Sequence, residues 1–266
     1  MKVHPLIFLE ESSRLRPLVS RIHLMNPSLR SRRSNRFTKG PGAFTLIELL
    51  VVIAIIAILA GLLLPALIGV KAKSKVAKAK VEIANLSAAL KQYEVDYNRY
   101  PGSPDAETTA AAAGGTGDFT WSAAGIGVPM TGYNADNSEL IYILMNVMDR
   151  APGTLRDKIK GRNPRKNTYL DAKMVSGTSP GISTDDYVYR DPWGNAYIVT
   201  MDIDGNDKCI DAFYGVKGGK GLIQNSNGKY EYNGNIMVWS RGPDGQVNTG
   251  YDPDKGPNKD NVVGWQ

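Results

Sequence analysis

Leu49–Val70 is a run of 22 residues without a charged side chain, and it constrains the fold more than any other feature. As a helix it spans about 33 Å at about 1.5 Å per residue, against a hydrocarbon core about 30 Å thick. The run is too long and too evenly apolar for a buried core helix. The spacing therefore predicts a bilayer-spanning helix. A secretory signal fits poorly, because its apolar stretch is about 7–15 residues long and is followed by a small-residue cleavage site. Here the small residues Gly42 and Ala43 precede the run, so a cut there would leave the apolar helix attached. Five basic residues flank the run on each side (Arg30, Arg32, Arg33, Arg36 and Lys39 before it, Lys71, Lys73, Lys75, Lys78 and Lys80 after it), which leaves its orientation undecided.

Charge is unevenly spread. Residues 1–43 hold nine Lys/Arg and two acids, whereas residues 44–266 hold 23 basic and 24 acidic side chains. The basic character of the chain therefore belongs to its first 43 residues, and a nucleic-acid reading based on overall charge has little support beyond them. Both histidines, His4 and His23, lie in the same stretch, and Cys209 is the one cysteine. From residue 44 onward the chain has no internal disulfide, no Ser-His-Asp or Cys-His site and no His-ligated zinc site to offer.

After Val70 the helical pattern continues. Ile83, Leu86, Leu90, Tyr93 and Tyr97 recur at spacings of 3, 4, 3 and 4, one apolar stripe of an amphipathic helix that Pro101 and Gly102 stop. Its lysine-rich opening turns read as solvated surface, with phosphate or lipid headgroups as the alternative partner. One helix of about 55 residues is expected to run from the membrane into a globular head. Residues 102–137 read as a loop or variable insertion. Residues 138–149 open as a helix with Ser138 as N-cap, and the basic stretch that follows reads as a solvated loop anchored by Tyr169 and Leu170.

Asp191-Pro192-Trp193-Gly194-Asn195 reads as a tight turn with a buried indole. Tyr197–Met201 alternates into a strand, Asp204-Gly205-Asn206 is hairpin-turn chemistry, and the return strand is expected through Cys209–Tyr214. Asp202, Asp204 and Asp207 do not have the spacing of an EF-hand loop, so the plain hairpin is preferred to a calcium site there. Asn235–Trp239 reads as a further strand. Behind it Asp244, Asp252, Asp254 and Asp260 crowd a loop of Gly, Pro and Asn. Such a loop offers carboxylates and carbonyls together, which is what calcium wants.

Gly42-Ala43-Phe44-Thr45-Leu46-Ile47-Glu48 resembles the processing site of type IV prepilins and type II secretion pseudopilins. The resemblance implies a cut between Ala43 and Phe44 by a membrane peptidase, with methylation of the new amine. Ala43 stands where the family usually has glycine. Glu48 becomes the fifth mature residue, matching the acidic residue that the family uses to meet the free amine of a neighbouring subunit. Pro65, the twenty-second, matches a proline that pilins tend to carry and that can kink or loosen a helix. Residues 1–43 are then a cytoplasmic leader, with Met25 a plausible true start. Asp191–Asn195 resembles a turn of the major pseudopilin, with Ala196 in place of a proline. Ser240, Gly242, Asp244, Gly245, Asp260 and Trp265 resemble its C-terminal calcium loop, which implies a structural calcium ion.

These readings imply an α+β fold, a long N-terminal helix packed on a small antiparallel sheet. The expected organisation is a cleaved leader (1–43), a membrane helix (44–70), its amphipathic continuation (71–100) and a periplasmic head (101–266) with a variable insertion (102–185) and an acidic loop (240–266). The implied function is a structural subunit of a type II secretion pseudopilus at the inner membrane. Its implied partners are further copies of itself, other pseudopilins, a prepilin peptidase/methyltransferase and an assembly platform, and no nucleic acid. A type IV pilin or competence pseudopilin is the alternative. A membrane-anchored enzyme or ligand-binding protein comes third, because no cofactor fingerprint or P-loop is present.

Overall fold

The computed structural model describes residues 42, 44–112, 116–127, 132–219 and 221–265. Apart from Gly42, the expected leader, with Met25 and Ala43, lies outside the described residues. The chain forms two compact units, one ending at Ala54 and one running Ile55–Gln266.

Helix α1 runs Leu46–Tyr97, 52 residues. Its apolar part, 46–70, is exposed at nearly every described position, as a segment long and apolar enough to cross a membrane would be. Further on, one stripe is buried: Ala79, Ile83, Leu86, Leu90 and Tyr93 are each at most 1 % exposed, at spacings of 4, 3, 4 and 3. The predicted stripe is thus the packed one, with Tyr97 half-buried at its end. The helix stops where Asn98 turns to a positive φ of 53°, three residues before Pro101.

Four short helices follow: α2 (Pro104–Ala110), α3 (Ser138–Leu144), α4 (Gly153–Ile159) and α5 (Tyr214–Lys217). Three 3₁₀ turns (Ala123–Ile126, Met148–Arg150 and Gly256–Asp260) and ten strands complete the described elements: β1 (Asp118–Trp121), β2 (Met174–Val175), β3 (Gly181–Ser183), β4 (Tyr189–Arg190), β5 (Ile198–Asp202), β6 (Lys208–Cys209), β7 (Ile223–Gln224), β8 (Tyr230–Asn233), β9 (Ile236–Ser240) and β10 (Val262–Val263). The central sheet is antiparallel with order β1-β5-β9-β10. Two small sheets, β2-β3-β4 and β6-β8-β7, stand beside it.

Alternation along the central strands sends side chains to two cores. Val199, Met201 and Val238 join the cluster built on the α1 stripe, with Phe119, Trp121 and α3. Ile198, Met237 and Trp239 point into a second cluster with Phe213, Tyr214 and Cys209. Burial on both faces explains why β5 carries no exposed residue.

Several expectations are corrected. Within the expected α+β architecture of a long helix and antiparallel sheet, the strands are divided among three sheets, and β2 pairs β3 in parallel. The region taken as loop holds α2 and the edge strand β1, whose Trp121 is fully buried. Helix α3 ends at Leu144, and Ser138 is its first residue, not its cap. Asn137 precedes it, but its side chain binds the backbone of Tyr189 and Tyr197 instead. The hairpin after β5 does not form: β6 pairs with β8, and Tyr214 begins α5. The Asp202 carboxylate takes the amides of Gly205, Asn206 and Asp207, which closes a loop where a two-strand turn was expected.

The register of the β1–β5 pair sets Asp118 opposite Asp202. Like charges facing across a ladder destabilise it. Burial first, and then the charges of Asp202 and Asp204, push the Asp118 carboxyl up to about 8. Its folded value exceeds its unfolded one, so its contribution to stability is greatest at acid pH and is lost as pH rises from about 4 to about 8. Asp118→Asn keeps an acceptor for the Ile210 amide and removes the charge. The variant is expected to gain a few kcal/mol, roughly, over the parent between pH 5 and pH 8. Urea unfolding at both pH values measures this; a constant difference would refute it.

Candidate functional site

The N-terminal site begins with how α1 starts. Glu48 Oε2 accepts from the Thr45 amide at 2.8 Å and from the Thr45 hydroxyl at 2.7 Å. The Thr45 hydroxyl in turn accepts from the Glu48 amide at 3.3 Å. Thr45-x-x-Glu48 is a capping box, in which each side chain accepts from the other residue's otherwise orphaned amide at the helix start. The carboxylate also lies at the positive end of the helix dipole. Thr45 was missed as a functional residue, although a Thr three residues before a Glu at the head of an apolar run is a readable signal. Phe44 is 78 % exposed and Gly42 is exposed, while Ala43 lies outside the described residues. The helix continues through Pro65, whose missing amide leaves one carbonyl of the preceding turn without its helical donor.

The second site joins two motifs that are far apart in sequence. Asp191 is fully buried at the start of its turn. Its Oδ1 accepts from the amides of Trp193 and Asn195 at 2.8 and 2.9 Å. Its Oδ2 accepts from the Ser240 hydroxyl at 2.5 Å and from Asn195 Nδ2 at 3.3 Å. Asn195 Nδ2 also donates to the Gly242 carbonyl at 2.9 Å, and Gly242 N donates to Ser240 Oγ at 3.0 Å. The turn therefore clamps the opening of the C-terminal loop. Gly194 adopts φ 98°, a conformation that favours glycine. At Gly242, φ is 68° and an added Cβ would stand 2.1 Å from the Asp260 carbonyl oxygen. Only glycine lets the opening and closing segments of the loop approach so closely. Trp193 is half-buried, where full burial was expected. It lines a 420 Å³ groove with Ala72, Val76, Ala77 and Pro243.

The structure does not gather the four candidate metal ligands. Asp244 and Asp260 meet, with the Asp244 amide 3.4 Å from Asp260 Oδ2. Burial and the facing charge of Asp244 raise the pKa of Asp260, and its Oδ1 is buried without a hydrogen-bond partner. Asp252 instead pairs with Lys255 at 2.6 Å. With Asp254 it lines a cleft of about 620 Å³ beside Tyr214 and Trp265. Among the described residues no three His, Cys, Asp or Glu side chains form a cluster suited to a metal ion. The loop is braced from within by Asn258, 1 % exposed. It accepts from the Asn248 amide and donates to the carbonyls of Asn248, Tyr251 and Asp252. Nothing marks one asparagine among several in such a loop as its brace.

Removing the clamp should loosen the loop. Asp191→Ala leaves two amides and a hydroxyl without their buried acceptor. The expected cost is about 2–4 kcal/mol in thermal or urea unfolding. Faster amide hydrogen exchange at residues 240–246 should accompany it. Unchanged exchange there would show that the loop holds without Asp191.

Comparison with known proteins covers the N-terminal part of the chain. Residues 39–64 match the family described as prokaryotic N-terminal methylation motif, and residues 66–117 match type II secretion system (T2SS), protein G. The type II secretion system core protein G of Pectobacterium carotovorum is 48 % identical over 58 residues, 22 % of this chain and 37 % of that protein. The Aeromonas hydrophila protein of the same name is 50 % identical over 58 residues, 22 % of this chain and 41 % of its own length. The type IV major pilin protein PilA of Myxococcus xanthus is 41 % identical over 68 residues, 26 % of this chain and 31 % of that pilin. The chain thus spans less than half the length of these curated relatives. No solved structure matches. Residues 39–64 thus carry the sequence signature of the N-terminal methylation motif and residues 66–117 that of type II secretion system protein G, and helix α1 runs through parts of both.

Proposed function

We propose that the chain is a structural, non-catalytic subunit of a type II secretion pseudopilus, anchored in the inner membrane by α1 with its head in the periplasm. The observation that carries this reading is Glu48, a carboxylate at the fifth position from Phe44, at the head of an apolar helix within the matched methylation motif. Cleavage between Ala43 and Phe44 frees an amine at Phe44. In a stack of such helices Glu48 meets that amine on a neighbouring copy. Two charges that are costly alone in an apolar setting become tolerable together, and they fix the register between subunits. The remaining partners are other pseudopilins, the peptidase and the assembly platform. The match to a type IV major pilin favours a type IV pilin subunit as the second reading.

Calcium belongs to the same proposal. The charge of Asp244 acts on the Asp260 carboxyl, and Asp260 Oδ1 lacks a partner, so a divalent cation held by these two residues would relieve both. They would hold it with carbonyl oxygens of the loop, and the ion would neutralise their repulsion and lock the loop closed. Asp252 and Asp254 stand outside this arrangement.

Three experiments test these readings. Co-expression with a prepilin peptidase should yield a chain that begins at methylated Phe44 by intact mass, and an uncut chain would overturn the leader assignment. Gln also serves in a capping box, so Glu48→Gln should keep the helix start yet lower filament yield at least about tenfold. Filament yield equal to the parent would remove the charge-pairing role. For calcium, the metal in excess should raise the melting temperature through a gain of about 2–3 kcal/mol. The Asp244→Asn/Asp260→Asn variant should show no gain; an equal gain in parent and variant would place the ion elsewhere.

A further inference from the structure

The charge of the chain beyond the apolar run is segregated. Residues 71–80 carry five lysines and no acid, whereas residues 81–266 carry 18 Lys/Arg against 23 Asp/Glu. Lys78 lies 3.6 Å from Glu82. Among the described residues the other four lysines of the belt make no ion pair. Lys71, Lys73, Lys78 and Lys80 are exposed. At about 100° per residue, Lys71, Lys75 and Lys78 fall on one flank of the buried stripe, and Lys73 and Lys80 fall on the other. Between Lys73 and Lys80 lies the apolar groove of Val76, Trp193 and Pro243.

We propose that this face, the lysine belt with Trp193 and Pro243 beside it, is a docking surface for the anionic headgroups of the leaflet on the head side. The inference rests on α1 crossing the membrane. Lys71 follows Val70 directly, and Lys80 lies about 14 Å further along the axis. The negative potential of an anionic leaflet decays over about 8 Å at physiological salt. Helical side chains lean toward the N-terminus, which here is toward the span, so the lysines reach back into that field. A half-exposed tryptophan at this depth is where the water–lipid boundary favours an indole. The rest of the head has a net negative charge and would be repelled by the same leaflet. The belt thus fixes both the depth of the helix and the face that the head presents to the membrane.

The test places an environment-sensitive fluorophore at Ser74→Cys of the full chain; the native Cys209 is fully buried and stays unlabelled. Vesicles of phosphatidylcholine alone, or with about 30 % phosphatidylglycerol, carry a headgroup spin-label quencher. Quenching is expected to be about twofold or more stronger in the anionic vesicles. The excess should vanish at about 1 M salt, where the screening length is about 3 Å. It should also vanish when all five lysines become Gln and return when they become Arg. Equal quenching in both lipids in a chain that resists an alkaline carbonate wash overturns the belt and leaves the span intact. A chain that the wash strips from vesicles overturns both. Quenching that ignores lipid charge but falls as protein density rises gives the face to a second copy of the chain and overturns the proposal.

Discussion

The head is organised by one stripe on one helix. Ile83, Leu86, Leu90 and Tyr93 are fully or almost fully buried, and each large apolar side chain withdrawn from water contributes about 1.5–3 kcal/mol. Three phenols fasten other segments to the same helix. Tyr93 donates to the Arg162 carbonyl, Tyr97 to Asn163 Oδ1, and Tyr197 to Glu82. The basic stretch around residues 156–166 is thereby held on the helix. Arg162 pairs with Glu107, Lys158 with Asp105 and Arg165 with Asp96. A run that reads in sequence as a free basic loop places three of its charges in ion pairs with α1 and α2, as a clasp over the end of α1.

A second, smaller centre is the Asp191 carboxylate. Buried carboxylates persist where donors surround them, and here two amides, a hydroxyl and a side-chain amide do so. The contrast with Asp260 is instructive. Both residues border the same loop, but Asp191 has its charge satisfied by the chain, whereas Asp260 faces Asp244 and keeps one buried oxygen unpartnered. One carboxylate holds the loop in place; the other has a buried oxygen that the chain leaves unpartnered.

What was legible in the sequence was whatever has a period or a steric signature. The α1 stripe has a 3.6-residue period and was read to the residue. The Asp191–Asn195 turn needs Pro and Gly at set positions, and it forms with Gly194 in a left-handed conformation. β5 and β9 alternate and were placed within one residue. What failed was non-local. Residues 118–121 are too short a run to declare themselves, and only their pairing with β5 makes them a strand. Cys209 was expected to return beside β5, but the Asp202 loop turns the chain toward β8 instead. The four aspartates of the C-terminal loop share a composition but not a location, because Asn258 folds that loop about itself. The processing motif was legible as a resemblance, while the capping box within it needed the geometry of Thr45.

The capping box bears on how Glu48 can serve assembly. An unpaired carboxylate on a helix in lipid would be expensive, and a flexible one would sample many positions. Bound by the Thr45 amide and hydroxyl, the carboxylate is already held at the end of the helix from which the Phe44 amine would emerge on cleavage. It retains lone pairs for a further donor, since each carboxylate offers about four acceptor sites. In the proposed filament the same group caps its own helix and receives a neighbour's amine, without having to give up one bond to make the other. Pre-organisation of this kind lowers the entropic cost of each added subunit. It also gives the choice of Glu over Gln a physical reason: both close the box, but only the ionised carboxylate can neutralise an ammonium in a low-dielectric setting.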